Sequence, residues 1–131
     1  MTRPQTTFPD PERIVVDWLT ESLEDHLEDV TVGIGVPSSW KPGDVPHLSV
    51  AWDGTPWLRR HVAMRAAIRV TVRASNTSEA KRLALLAEGL LHARPGVVPQ
   101  LGVMPTRDND TKAELAWFTV GVALHSVPVA P

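Results

Sequence analysis

One predicted helix carries a run of carboxylates with no Lys or Arg between them, namely Asp17, Glu21, Glu24, Asp25 and Glu28. Paired carboxylates can act as general acid and base, although a solvated helix face also explains such a run. Carboxylates four residues apart on a helix repel each other, and those in the last turn oppose the helix dipole. The run therefore predicts a cationic partner.

A second charged set is basic and clusters in and before a predicted strand: Arg59, Arg60, Arg65, Arg69 and Arg73. The last three share one face, because alternate side chains of a strand point to the same side. We expect the acidic helix to cover the other, apolar face, out of reach of these arginines. One interpretation is an acid-to-arginine contact between copies of the protein that closes into a ring, or a lumen lined by arginines. A solvated sheet face is the alternative.

Other catalytic patterns are missing from the sequence. The chain has no cysteine, which excludes disulfides, thiolate catalysis and Cys-ligated zinc. It contains no nucleophile elbow and no P-loop, and Gly33 and Gly35 lack the third glycine and the following helix of a dinucleotide site. The histidines fall on different predicted elements: His26, His47, His61, His92 and His125. We therefore predict a protein that is not an enzyme and that uses no metal and no cofactor.

Aromatic and polar residues in loops predict contact surfaces. Trp52 is assigned to the core by its position in an alternating strand, whereas exposed tryptophans in or beside loops are typical of interfaces. Local packing is the alternative for the loop tryptophans. The residues proposed to contact partners are Trp40, Trp57, Arg107, Asp108 and Asp110.

Composition limits the class of protein. The 131 residues include 13 Lys and Arg and 15 Asp and Glu, for a net charge of -2, and 43% are hydrophobic. These values are typical of one soluble domain with a real core. Near-neutral charge argues against nucleic-acid binding driven by counterion release. No segment approaches the ~18 apolar residues of a membrane span, and the first residues lack the apolar stretch of a signal peptide. We expect synthesis in the cytoplasm and no membrane partner.

Hydrophobic periodicity predicts the elements that position these residues. The first helix is capped by Asp10, starts at Pro11 and ends near Glu28, and the second follows the cap residue Asn76. The buried stripe of the second helix comprises Leu83, Leu86, Ala87, Leu90 and Leu91. Strands are predicted over residues 30–36, 47–53, 64–74, 97–104 and 114–125, with a proline-rich loop over 37–46. The last two strands form a hairpin around the turn 106–111.

The element order α-β-β-β-α-β-β predicts an α+β fold, with two helices packed on one face of a mostly antiparallel sheet. Residues 10–126 form the single domain. Residues 1–9 are expected to be a flexible arm. Residues 127–131 form a C-terminal tail, whose prolines exclude it from a central strand.

The sequence as a whole resembles a known family. The segments PDPERIVVDWLTESL, VTVGIGVPSSWKPGDVPHLSV, RAAIRVTVRASNTSEAKRLALLAEGLLHA and AELAWFTVGVAL together resemble the tail terminator proteins of long-tailed phages (siphoviruses) that infect actinobacteria. The resemblance extends from about residue 9 to residue 125. It depends on element order and loop placement more than on an invariant motif.

The resemblance implies a structural virion protein that forms a ring, expected to be a hexamer, on the head-proximal end of the tail tube. Such a ring stops tube polymerisation and forms the docking interface for the head. The implied partners are copies of the same chain, the tail tube protein and a head–tail connector protein, with genome DNA passing through the lumen. The implied location is the neck of the virion, after assembly in the host cytoplasm. The family has no catalytic residues.

Two other functions remain open from the sequence. The first is another neck component, such as a head completion, adaptor or stopper protein. The second is a small RNA-binding α+β domain that uses the arginine face and the loop tryptophans.

Overall fold

A computed structural model of the protein describes residues 5–59, 62–108 and 112–129. The two helices are α1 (Pro11–Asp25) and α2 (Thr77–His92). The strands are β1 (Thr6–Thr7), β2 (Thr31–Ile34), β3 (His47–Arg59), β4 (Ala63–Ala74), β5 (Val97–Pro99), β6 (Met104–Arg107), β7 (Glu114–His125) and β8 (Val127–Pro128). The predicted α+β class and element order are confirmed.

The main sheet is mostly antiparallel. Its strand order is β2-β3-β4-β7-β5, and β6 also pairs with β7. Only the β2–β3 pair is parallel within the described chain. The central strands β4 and β7 pair along their whole length, from Ala63 opposite His125 to Ala74 opposite Glu114. The rest of the main sheet is built on both sides of this long pair of strands.

Both helices pack on the same face of this sheet. Buried side chains from α1, α2, β3, β4 and β7 form one hydrophobic core. On β4 the even-numbered residues from Met64 to Ala74 are buried, with Ile68 at 0% exposure, and the intervening residues face away. The predicted parity of this strand is confirmed. The opposite face of the sheet is left without a helix.

Local capping signals fix where the helices begin. The Asp10 carboxylate accepts a hydrogen bond from the Glu12 N–H at 2.9 Å, and Pro11 occupies the first helical position. The side chain of Asn76 accepts the N–H of Glu79 at 2.9 Å at the start of α2. These bonds satisfy backbone donors that a helix leaves unpaired at its N-terminus.

Helix α1 ends three residues earlier than predicted. Leu27 has a φ of 57°, its N–H donates to the Glu24 carbonyl at 2.9 Å, and the Glu28 N–H donates to the Leu23 carbonyl at 3.0 Å. This pair of bonds is the Schellman motif, whose left-handed residue is usually glycine. The apolar periodicity gives no sign of this stop, because the motif is built here on a leucine.

The segment 97–104 also differs from its prediction as a single strand. It forms β5 and part of β6, and both pair with β7. Between them, Leu101 and Thr119 exchange two bonds of 3.0 Å, one from the Thr119 N–H to the Leu101 carbonyl and one from the Leu101 N–H to the Thr119 hydroxyl. Pro99 and Pro105 lack the donors that a continuous ladder needs.

Candidate interface between subunits

The helix-free face of the sheet carries the predicted arginines of β4. Arg65 and Arg69 are exposed and Arg73 is half-buried. Arg59, at the end of β3, is exposed as well, whereas Arg60 lies outside the described residues. Arg59 lies opposite Ala63, which shares the face of Arg65. The structure thus brings four of the five predicted arginines to one surface, which we call the arginine face.

Arg69 is held by two partners on the neighbouring strands. Its Nε lies 2.9 Å from the Asp53 carboxylate, and its guanidinium lies 5.1 Å from the centre of the Trp117 ring. Arg69 has a side-chain exposure of 49%, so the ion pair is weakened by solvent. Neither partner was identified from the sequence, because cross-strand register decides which residues flank Arg69.

Arg65 lies across a glycine of the next strand. A Cβ atom added at Gly121 would be 2.9 Å from the Arg65 Cδ and 2.9 Å from the Val98 Cγ2. Gly121 therefore leaves the space through which the arginine stem passes over β7. Arg65 makes no ion pair with any carboxylate in the described part of the chain.

Arg73 lies at the base of a pocket formed by the proline-rich loop. A cavity of about 250 Å³ is lined by Val36, Pro37, Ser38, Trp40, Arg73 and Asp108. The Nε and Nη1 atoms of Arg73 are buried without a hydrogen-bond partner among the described residues. Asp108 lies 3.6 Å from Nη1, too far for a good hydrogen bond. Desolvated donors of this kind cost free energy. The Arg73 side chain as a whole is 19% exposed, so an acceptor in the pocket meets only the accessible part of the guanidinium.

The loop that forms this pocket is fixed at several points. The Trp40 indole N–H donates to the Val45 carbonyl at 2.9 Å, and the Gly43 N–H donates to the Ser75 hydroxyl at 2.9 Å. The Nε2 of His47 lies 2.8 Å from the Gly35 carbonyl. The pocket is therefore built into the fold, and three sequence-predicted residues, Trp40, Arg73 and Asp108, meet in it.

One carboxylate of the predicted acidic run, Glu28, is bound by an arginine of the same chain. Arg82 of α2 donates to both carboxylate oxygens of Glu28, at 2.7 and 3.0 Å, and also binds Glu79 at 2.7 and 3.2 Å. Hydrogen bonding to Arg82 lowers the pKa of Glu28 and of Glu79, and the two carboxylates raise the pKa of Arg82. We call Arg82, Glu28 and Glu79 the helix clasp. Sequence reasoning missed it, because Glu28 and Arg82 are 54 residues apart.

A second intrachain contact involves Glu21. Its carboxylate lies 3.7 Å from Arg94, whose guanidinium also lies 5.3 Å from the centre of the Trp18 ring. By contrast, Asp17, Glu24 and Asp25 form no ion pair with any other described residue. These three carboxylates remain available on the outer surface of α1.

The two ends of the described chain pair with each other. Thr6–Thr7 and Val127–Pro128 form a small antiparallel ribbon, extended by a bond of 2.9 Å from the Val129 N–H to the Gln5 carbonyl. Within the predicted arm of residues 1–9, Thr6 and Thr7 thus form a short strand, whereas residues 1–4 lie outside the described residues. A pattern without periodicity does not reveal that such a segment finds a strand partner 120 residues away. The tail residues pair at the periphery, as their prolines require.

Trp52 was wrongly assigned to the core. Its side chain is 43% exposed, and the register of β3 shifts just after it. The indole N–H donates to the Gly54 carbonyl at 2.8 Å, and the backbone N–H donates to the Glu12 carboxylate at 3.0 Å. The residue therefore lies beside the first turn of α1, where the helix layer ends and cannot cover the ring.

The other predicted contact residues have mixed placements. Trp57 lies within β3, opposite Arg65, and not in a loop. Arg107 ends β6 and its Nε lies 3.7 Å from the Glu114 carboxylate. Asp110 falls outside the described residues. Arg107, the last residue of β6, thus forms a cross-strand pair, and Asp108, the next residue, lines the pocket.

The described residues also bear on metal binding and on membrane insertion. Across 5–59, 62–108 and 112–129, no three His, Asp or Glu side chains are grouped so that they could hold a metal ion. Neither of the two described helices is both long and apolar enough to cross a membrane. A scan for known protein families found no match, and a search of curated proteins found none either.

Proposed function

We propose that this chain is a structural subunit that assembles with identical copies into a ring, and that the ring is the tail terminator of a long-tailed phage. The observation that carries the proposal is the position of the two charged surfaces. The arginine face lies on the helix-free side of the sheet, and the available carboxylates of α1 lie on the other side of the domain. Surfaces on opposite sides of one subunit favour head-to-tail contacts, which close into a ring when the rotation between neighbours closes and extend into a filament when it does not. The resemblance to tail terminators favours the ring.

The spacing of the charges supports contact between these surfaces. Eight residues of helix separate Asp17 from Asp25, which corresponds to about 12 Å at 1.5 Å per residue. Four residues of strand separate Arg69 from Arg73, which corresponds to about 13 Å. An α1 helix laid along β4 of the next copy therefore places one carboxylate near each guanidinium. Such complementarity sets the register of an interface and excludes wrong partners.

The resemblance over most of the chain supports the phage role. It implies a hexamer, contacts with the tail tube protein and with a head–tail connector protein, and a location in the neck of the virion. A terminator acts by binding and by occupying the end of the tube. The ribbon of β1 and β8, which pairs outside the main sheet, is available to bind the tube or the connector.

The RNA-binding alternative receives less support from the charge of the chain. Its net charge of -2 argues against binding to a phosphate backbone driven by counterion release.

Deleting the gene from its phage and measuring tail lengths by electron microscopy tests the proposed role. Abnormally long, headless tubes beside DNA-filled heads are the expected result. Tails of normal length that fail to join heads would assign the protein to another neck component, and infectious particles of normal form would refute a phage assembly role. Restoring the gene from a plasmid is the matched control.

A further inference from the structure

The end of helix α1 exposes an apolar side chain in an unfavourable backbone conformation. Leu27 is 93% exposed and has a φ of 57°. The left-handed region costs a non-glycine residue about 1 kcal/mol or more. The Leu27 side chain is not buried against other apolar groups, and leucine does not adopt the left-handed conformation as readily as glycine does. The stability of the monomer therefore does not explain why a leucine occupies this position. Glu24 and Asp25, both without an ion pair in the described structure, precede it within one helical turn.

The pocket on the arginine face has the complementary chemistry. Trp40, Pro37 and Val36 give it an apolar wall, and Arg73, whose side chain is 19% exposed, gives it a positive charge. Its volume of about 250 Å³ has room for side chains and not merely for one water, which takes about 30 Å³ in the liquid. It therefore suits an occupant that presents an apolar group next to a carboxylate.

We propose that the end of α1 in one copy docks into this pocket of the next copy. Leu27 packs against Trp40 and Pro37, and the carboxylate of Glu24 or Asp25 binds the guanidinium of Arg73. This proposal rests on the ring proposed above and specifies which residues hold neighbouring subunits together. The contact places a second carboxylate beside a guanidinium whose ion pair with Asp108 spans 3.6 Å.

The sheet register is consistent with front-to-back stacking of copies. Thr31, the first residue of β2, pairs with His47, and His47 pairs with Arg73. Leu27 precedes Thr31 by four residues, so the end of α1 and the pocket lie at the same end of the sheet. They lie in different layers, because α1 packs on the core face and Arg73 points away from it. If two copies stack without a large shift along the strands, the end of α1 in one copy lies over the pocket of the next.

Cysteine cross-linking tests the contact directly, because the chain has no cysteine of its own. A variant with both His26→Cys and Ser38→Cys is oxidised, as purified protein at high concentration and within isolated tails, and run on non-reducing gels. Disulfides need Cα atoms about 4.4–6.8 Å apart, so the proposed contact predicts a ladder of covalent oligomers. The matched control replaces His26→Cys with Leu58→Cys, which is exposed but lies at the other end of the sheet, and should give no ladder.

Leu27→Gly separates a role in docking from a role in folding. Glycine suits the left-handed position, so the monomer should remain as stable as the parent or become more stable. Added to the cysteine pair, this change should nevertheless lower the yield of cross-linked oligomers about tenfold, the effect of losing one buried leucine contact. An unchanged yield would refute the assignment of Leu27.

The outcomes distinguish this contact from the phage role. Tails that contain the double-cysteine variant but give no ladder would refute the docking site and leave the terminator role intact. If gene deletion leaves tails normal, the phage role fails, and cross-linking of the purified protein still decides the contact.

Discussion

Removing the cation of the helix clasp should destabilise the protein in a pH-dependent way. Arg82→Met keeps most of the aliphatic stem and removes four hydrogen bonds of 2.7–3.2 Å to Glu28 and Glu79. Because the Arg82 side chain is 49% exposed, each ion pair contributes only about 0.2–1 kcal/mol. We expect a total loss of about 1 kcal/mol at neutral pH and low salt, and a fall in Tm of about 4 °C.

The pH dependence follows from the two carboxylates. Hydrogen bonds from Arg82 lower the pKa of Glu28 and of Glu79 from the ordinary value of 4.5. Stability gained from a lowered carboxylate pKa is complete above the unfolded-state pKa and is lost as the pH falls through the folded-state pKa. The difference between parent and variant should therefore be constant from neutral pH to about pH 5 and should shrink as the pH falls further, through the lowered pKa values of the two carboxylates.

Urea unfolding followed by tryptophan fluorescence measures this difference, with Lys81→Met as the control. Lys81 neighbours Arg82 but makes no ion pair within the described chain, so its replacement should change stability by less than about 0.5 kcal/mol. High salt should reduce the effect of Arg82→Met by screening. A stability gap that does not narrow on acidification, or that Lys81→Met reproduces, would refute the clasp as its cause.

Three further changes, the last with a control substitution, test the fold. Ile68→Asp should abolish folding, because it buries an unpaired carboxylate at a fully buried site; a native circular dichroism spectrum would contradict that placement. Asn76→Ala should cost about 1 kcal/mol in urea unfolding through loss of the α2 cap, and a loss below the error of the measurement would show that the cap is dispensable. Gly121→Ala should destabilise by about 1–3 kcal/mol, because its Cβ would lie 2.9 Å from neighbouring side chains. Gly89→Ala meets no atom within 4 Å in α2 and should instead stabilise by about 0.5–1 kcal/mol; equal effects of the two glycine changes would refute the packing at Gly121.

Local signals were sufficient for most of the elements. Asp10 and Asn76 predicted both helix starts, because a cap depends on residues within one turn of it. The alternation around Ile68 predicted which side of β4 is buried, because side chains on a strand alternate with period two. Short stretches of sequence were therefore sufficient to predict these parts of the fold.

Three features of the structure were not predictable in this way. The end of α1 was misplaced because a leucine occupies the left-handed position that glycine usually marks. Trp52 was misassigned because the limit of the helix layer, and not strand parity, decides whether its ring is covered. The ribbon of β1 and β8 joins segments that have no periodic pattern of their own.

The sequence by itself determined the α+β class, the parity of β4 and the existence of two separate charged sets. Only the tertiary structure decided how those charges are used: Glu28 is bound by Arg82, Arg69 lies between Asp53 and Trp117, and Arg73 meets Trp40 in a pocket. The physical reason is that periodicity and capping act over a few residues, whereas ion pairs and pockets depend on register and layer packing, which bring together residues far apart in the chain.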